Sequence, residues 1–477
     1  MDDGLRDSYR RRQAARMIEK GGGLAELGGR LSRFTERWIP DSWVVCMMIT
    51  VLVLVLAVFG AGVSPHAAVI AWGGGMWTLL ELSMQLGLAL VAAHACVSSP
   101  PIFRSLEALS GVSNPDKPVQ AVVVMALYSM ITAYFNWALS LVASALFIPF
   151  LCRKNPKTDV RLLAVAAYLG QGTVWHGGLS GSAPLIMATP GNPLIAPAGG
   201  VPVLDHLVPV TQTIFAPFNL IYLLVIAAIG LITVSLLHPR TNAVTLSPEQ
   251  VDAMMPRIPV LPAERNTIAG RLDRFRGWTI FAAVLIAYPL GYTLITRGLA
   301  AWNINAYNMV FLTLALLLHG RPESLVKGFV NGASTAAGII LQFPFYAGIF
   351  GIMKNTPLGE WMGYLFVEVS TPRTFPIVVY VYSAFMTTFV PSGGSKWLIE
   401  APYLLPAARE LGVSVSTTVL SYAYGDQTAH LIQPFWAIPI LTVTRLRFGD
   451  IVGYSLLVFA ACFAASVVAM LLIPLAL

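Results

Sequence analysis

The chain is polar and basic over its first 37 residues, then turns apolar in long runs separated by short polar stretches. The runs cover roughly 43–62, 77–98, 119–151, 161–195, 207–237, 278–296, 304–319, 326–352, 374–403, 414–441 and 450–477. A helix rises about 1.5 Å per residue and needs about 20 apolar residues to cross a hydrocarbon core. Trp43 to Gly62, Leu220 to Leu237, Trp278 to Ile295 and Ile451 to Leu477 are suitable spans. The pattern predicts an all-α polytopic membrane protein. Segments 119–151 and 326–352 are too long for one upright helix. The first carries Asn136-Trp137 at its middle and is either two short helices or one long tilted one, and the second carries QFPFYAG from Gln342 to Gly348, where its break is expected.

Two further segments are interrupted by turn residues at their centres: WHGGLSGSAPLIMATPGNP (Trp175 to Pro193) and FVPSGGSKWLIEAP (Phe389 to Pro402). Non-helical backbone at membrane depth survives only where protein or a watery cavity satisfies its amides. Each is therefore expected to be a re-entrant helical hairpin, at about 161–195 and about 374–403. Placing Ser182 on Ser395 aligns LIMA (Leu185 to Ala188) with LIEA (Leu398 to Ala401). At nearly the same offset, TQTIFAPF (Thr211 to Phe218) matches TAHLIQPF (Thr428 to Phe435). These matches predict a duplicated unit of hairpin plus proline-broken helix, with a first repeat at 38–237 and a second at 277–477. The Pro- and Arg-rich stretch 238–276 is the linker loop between them.

Composition agrees with this class. Charged residues make up 11% of the 477, against about 25% in a soluble globule. The net charge of +7 lies in the tail and loops, not on an aromatic-studded face, so no nucleic-acid partner is predicted. Residues 1–37 hold nine Arg and Lys (Arg6, Arg10, Arg11, Arg12, Arg16, Lys20, Arg30, Arg33, Arg37), so they are expected to be a cytoplasmic N-terminal segment. Cys46, Cys96, Cys152 and Cys462 lie in or at the edges of apolar runs and are expected to be small hydrophobes, not a disulfide or metal set.

A helix broken at mid-membrane leaves free N–H groups and a positive dipole end, which suit an anionic headgroup. Ser180, Gly181 and Ser182 at one tip, and Ser392, Gly393, Gly394 and Ser395 at the other, are the predicted substrate cradle. The bland alternative is ordinary Gly/Ser helix packing. An ammonium in the hydrocarbon zone costs at least about 2.5–3.5 kcal/mol, so Lys396 should meet either a substrate carboxylate or Glu400 one turn on. His176, Glu400, Asp426 and His430 are the ion-coupling candidates, with histidine suited to a proton and a carboxylate to a proton or sodium ion. For the histidines the alternative is a structural hydrogen bond, and for Asp426 a surface position. No phosphate-binding loop, zinc-spaced cluster or nucleophile elbow is present, so neither an enzyme nor a cofactor is expected.

HGGLSGSAPL (His176 to Leu185), FPFYAGIFGIM (Phe343 to Met353), and VPSGG (Val390 to Gly394) followed by Trp397 and APYLLPA (Ala401 to Ala407) resemble the bacterial short-chain fatty acid transporter family. The resemblance runs from about Trp38 to the C-terminus. It implies a secondary active transporter of short-chain monocarboxylates such as acetoacetate or butyrate in the bacterial inner membrane, driven by a proton or sodium gradient. It further implies two inverted repeats, a scaffold that forms a homodimer and an elevator-type transport domain. The alternatives are a C4-dicarboxylate or hydroxy-acid carrier and, from other classes, a membrane-embedded enzyme or a passive channel. Eleven spans place the hairpins on opposite faces but put Arg271, Arg274 and Arg276 outside. Nine spans move the 153–161 cluster outside instead and put both hairpins on one face. The repeat favours the inverted arrangement.

Overall fold

The computed structural model describes residues 42–195, 203–239, 243–255, 267–388, 390 and 392–473, and these form an all-helical fold. The basic segment 1–37 lies outside the described residues. Among the described residues, eight helices are long and apolar enough to cross a membrane, including Trp43–Gly60, Leu80–Val97, Pro217–Leu236, Arg276–Ala301 and Phe448–Leu472.

The overlong segment at 119–151 is two helices, Pro118–Phe135 and Trp137–Lys154. Asn136 leaves the helical region between them, and its side chain accepts from Leu139 N at 2.9 Å, a standard N-cap. The two arms lie side by side: Ser140 Oγ donates to Ser129 O at 2.8 Å, and the Tyr128 and Phe147 rings sit 5.0 Å apart. This is an antiparallel hairpin. In the other overlong segment the break falls before the expected QFPFYAG. Pro322–Ala333 passes through the turn Ser334–Ala336 into Ala337–Asn355. Pro344 sits inside that last helix, whose burial from Tyr346 to Met353 outweighs the one hydrogen bond that proline removes.

The hairpin expected at 161–195 is corrected. It consists of Val160–Thr173, a turn over residues 174–181, and the short helix Ser182–Ala188. The short helix packs on Gly393–Glu410 and Val415–His430 more than on Val160–Thr173, so the segment is a broken helix. The expected hairpin at 374–403 is an antiparallel pair, Phe375–Thr387 and Gly393–Glu410, extending further than expected. Tyr382 and Tyr403 join the arms, hydroxyl to hydroxyl at 2.8 Å. The TAHLIQPF stretch does break a helix, between Val415–His430 and Pro434–Thr444. Its supposed counterpart at 211–218 is a single 3-10 turn, Val210–Gln212, followed by Pro217 at the first position of Pro217–Leu236.

The order of helices in the second half parallels that in the first, and matching helix starts sets Trp137 against Gly393 and Val160 against Val415. Ser42–Val55 corresponds to Ile304–His319, Pro65–Gly75 to Pro322–Ala333, Leu80–Val97 to Ala337–Asn355, and Pro100–Ser110 to Leu358–Glu368. After them come a hairpin, a broken helix and a long helix in each half. Packing is exchanged between the halves in the same sense. Leu80–Val97 packs on Ile304–His319 as Ala337–Asn355 packs on Ser42–Val55, and Trp137–Lys154 packs on Pro434–Thr444 as Gly393–Glu410 packs on Ser182–Ala188. Single bonds repeat too: Ser129 Oγ donates to Ala166 O at 2.7 Å, and Ser383 Oγ to Tyr422 O at 2.9 Å. The short sequence matches, LIMA with LIEA and TQTIFAPF with TAHLIQPF, thus align pieces of different elements.

Basic residues gather at one end of the bundle. Lys157 meets Asp116, Arg153 meets Asp252, and Arg161 lies against Asp159 and the Tyr454 ring. Arg274 pairs with Glu323 at 2.8 Å, next to His319, which contacts Ala95 O. The amphipathic helix Pro100–Ser110 packs on both Trp137–Lys154 and Ile304–His319. The opposite end carries Arg409 with Asp205, and Lys354 against Pro193 O. Consequently the first hairpin opens toward the basic end and the second toward the opposite end.

Candidate functional site

The tip of the second hairpin and the turns of both broken helices meet inside the bundle. Gly394 is where the two predicted tips touch: a Cβ there would lie 3.5 Å from Ser182 Cβ, 3.5 Å from Ile186 Cδ1 and 3.3 Å from Leu86 Cδ1. A Cβ on Gly393 would stand 2.7 Å from His176 Cε1 and 3.0 Å from Asp426 Oδ2. Glycine at 393 is what lets the backbone come this close, whereas at 394 an added Cβ would meet near-ordinary contacts. Ser395 Oγ donates to Ser392 Oγ at 2.6 Å, so the second tip is closed on itself. Ser392 provides no side-chain cap for the first turn of the 18-residue helix Gly393–Glu410, which starts at this junction. Ser180 turns the other way, accepting from Trp137 N at 3.1 Å, and ties the first broken helix to the first hairpin. Gly181 packs closely on the His176 carbonyl.

Asp426 is the hub and is fully buried, not at the surface. Its Oδ1 lies 3.0 Å from Lys396 Nζ and accepts from Thr387 Oγ1 at 2.8 Å. Its Oδ2 is 2.9 Å from His176 Nδ1 and 3.9 Å from His430 Nε2. His176 Nε2 accepts from Ala183 N at 3.2 Å, which places the ring proton on Nδ1, facing the carboxylate. The Trp175 ring stacks on His176 at 4.2 Å and on His430 at 5.4 Å. Gln427 fixes the turn from behind, accepting from His176 N and donating to Thr173 O. The ion-coupling candidates His176, Asp426 and His430, drawn from opposite halves of the chain, are thus one cluster.

Lys396 pairs with Asp426 and not with Glu400, because its side chain reaches toward the neighbouring helix and sets Nζ over the Tyr422 face, 4.6 Å from the ring centroid. It also donates to Ser383 O and Oγ at 2.8 Å each and to Thr387 Oγ1 at 2.7 Å. Its three protons are committed, so it offers no free donor to a substrate. Glu400 is buried one turn on, and neither carboxylate oxygen has a hydrogen-bond partner among the described residues. Sequence reasoning missed Ser383, Thr387 and Tyr422. The spacing of four between Ser383 and Thr387, on the arm facing Lys396, was the available signal. Among the described residues no group of His, Cys, Asp or Glu is arranged to hold a metal ion.

The family model described as short chain fatty acid transporter matches residues 23–475. An Escherichia coli relative named "Putative short-chain fatty acid transporter" is 34% identical over 429 residues, covering 89% of this chain and 94% of its own. A Haemophilus influenzae relative of the same name is 31% identical over 436 residues, covering 90% and 96%. Among solved structures, Neisseria gonorrhoeae MtrF, described with a class of antimetabolite efflux pumps, superposes with a TM-score of 0.58 at 14% identity, covering 92% of this chain and 97% of its own. The Alcanivorax borkumensis YdaH transporter, described as having an unusual topology, gives 0.60 at 14% identity, covering 92% and 99%. At that identity the two structures speak for the fold alone.

Proposed function

Since the chain belongs to the short-chain fatty acid transporter family, we propose that it is a secondary active carrier of short-chain monocarboxylates across the bacterial inner membrane. The observation that carries this reading is the junction at Gly394, where two helix breaks from different halves meet beside a buried charge cluster. The uncapped start of Gly393–Glu410 offers N–H groups and a positive dipole end to a single carboxylate. With Lys396 paired to Asp426, its ammonium is not left for the second carboxylate of a dicarboxylate. The chain has no enzymatic role in this reading.

The two sets of elements are inverted repeats. With the basic end in the cytoplasm, as the 1–37 segment also favours, nine helical passes cross the bilayer and the two hairpins enter from opposite faces. Arg271, Arg274 and Arg276 then lie inside with the 153–161 cluster, which neither sequence-based topology achieved. The hairpins and broken helices form the body that moves, elevator-fashion, against a scaffold drawn from 42–97 and 276–368, which also forms the homodimer. Gradient coupling runs through the His176–Asp426–His430 cluster and Glu400, with a proton favoured over sodium by the histidines.

Labelled butyrate uptake into proteoliposomes under imposed proton or sodium gradients tests the reading. Accumulation above equilibrium with a proton gradient is expected. Downhill equilibration alone would make the protein a channel, and accumulation of succinate but not butyrate would make it a dicarboxylate carrier.

A further inference from the structure

Four oxygens surround the Lys396 ammonium: Ser383 O and Oγ at 2.8 Å each, Thr387 Oγ1 at 2.7 Å and Asp426 Oδ1 at 3.0 Å. One is a backbone carbonyl, two are hydroxyls and one is a carboxylate. That is a donor set for a hard monovalent cation, assembled by a hairpin arm and a broken helix with all side chains buried. The repeat shows what the site is without charge. In the register that sets Trp137 on Gly393, Ser140 falls on Lys396. The Ser140 hydroxyl donates to Ser129 O at 2.8 Å, as Lys396 donates to Ser383 O. Whether the broken helices are matched by their starts, Val160 on Val415, or by the equivalent bonds of Ser129 to Ala166 O and Ser383 to Tyr422 O, the residue that falls on Asp426 is Gln171 or Gly170, and neither has a carboxylate. The first unit is neutral at both places, whereas the second holds the anion and the cation together.

We propose that Lys396 is a built-in cation: its ammonium fills a monovalent-cation site at this junction and closes it to free ions. Shortening the side chain opens the site. The oxygen distances suit an ammonium-sized ion, so ammonium and potassium fit without rearrangement and sodium requires the cage to contract. The consequence for wild-type protein is that no free alkali cation is used at this place, and any coupled ion binds elsewhere or is a proton. The inference stands on the cage and not on the identity of the transported acid.

The test uses the full chain, purified in detergent, as wild type and as Lys396→Ala. Melting temperature is followed against ammonium, potassium, sodium and choline chloride at matched ionic strength. A saturable rise of several degrees in Lys396→Ala with ammonium or potassium, absent with choline and absent in wild type, is expected. Adding Asp426→Asn should abolish that response. A Lys396→Ala protein that melts identically in all four salts would overturn the proposal. So would one stabilised only by acidification, since a proton would then be what Asp426 needs. If Lys396→Ala aggregates in every salt while Lys396→Ala with Asp426→Asn is recovered folded, the pair is only an ion pair and the proposal also fails. Because the readout is stability, it is independent of whether butyrate is carried.

Discussion

Asp426 holds the site together at the scale of single residues, since its carboxylate touches the second hairpin, the first broken helix and its own helix. A buried pair is weak evidence of net stability, but removing one partner strands the other charge at a cost of about 3–5 kcal/mol. Asp426→Asn should therefore melt well below wild type and lose gradient-driven uptake. Adding Lys396→Met, which keeps most of the stem, should recover most of the stability but not the uptake. A double variant as unstable as the single one would show that Asp426 acts through its histidine and threonine contacts instead.

Each hairpin, at the scale of elements, is locked to the broken helix that follows it. Gly170 lies so close to Ser129 O, and Gly425 to Tyr380 O, that a Cβ at either would overlap a carbonyl. Helix propensity favours alanine over glycine by about 1 kcal/mol, yet here the overlap should win. Gly170→Ala and Gly425→Ala are each expected to destabilise by about 1–3 kcal/mol, measured by thermal melting in detergent. Stabilisation of either variant would mean that the two helices are free to separate. The same pairing explains why the turn at 174–181 belongs to a broken helix: the following helix is captured by the other half.

At the scale of the whole molecule, labelling can check the proposed orientation. All four native cysteines are buried, so they should be silent toward a membrane-impermeant maleimide. Lys157→Cys, at an exposed site on the basic end, should label only when the cytoplasmic face is accessible. Asp205→Cys, exposed at the other end, should label from outside in intact cells. Reversed labelling would invert the topology, and labelling of both from one side would remove the inverted arrangement.

Membrane insertion, the long spans and the two interrupted stretches are legible in the sequence because they depend on local composition and length. Ser182 and Gly394, which the fold brings together, are legible for the same reason, as turn residues inside apolar runs. The parallel order of elements in the two halves is not, since LIMA and LIEA are short matches that composition alone supplies, whereas the proposed repeat rests on similar packing with little shared sequence. Asn136 gives no clear choice between hairpin and span, because a single N-cap fits either until the neighbouring helix is known. Lys396 stands out by its cost in the membrane, but its partner does not. Glu400 is nearest along the helix, and only the tertiary approach of Val415–His430 to Gly393–Glu410 brings Asp426 within reach of the ammonium.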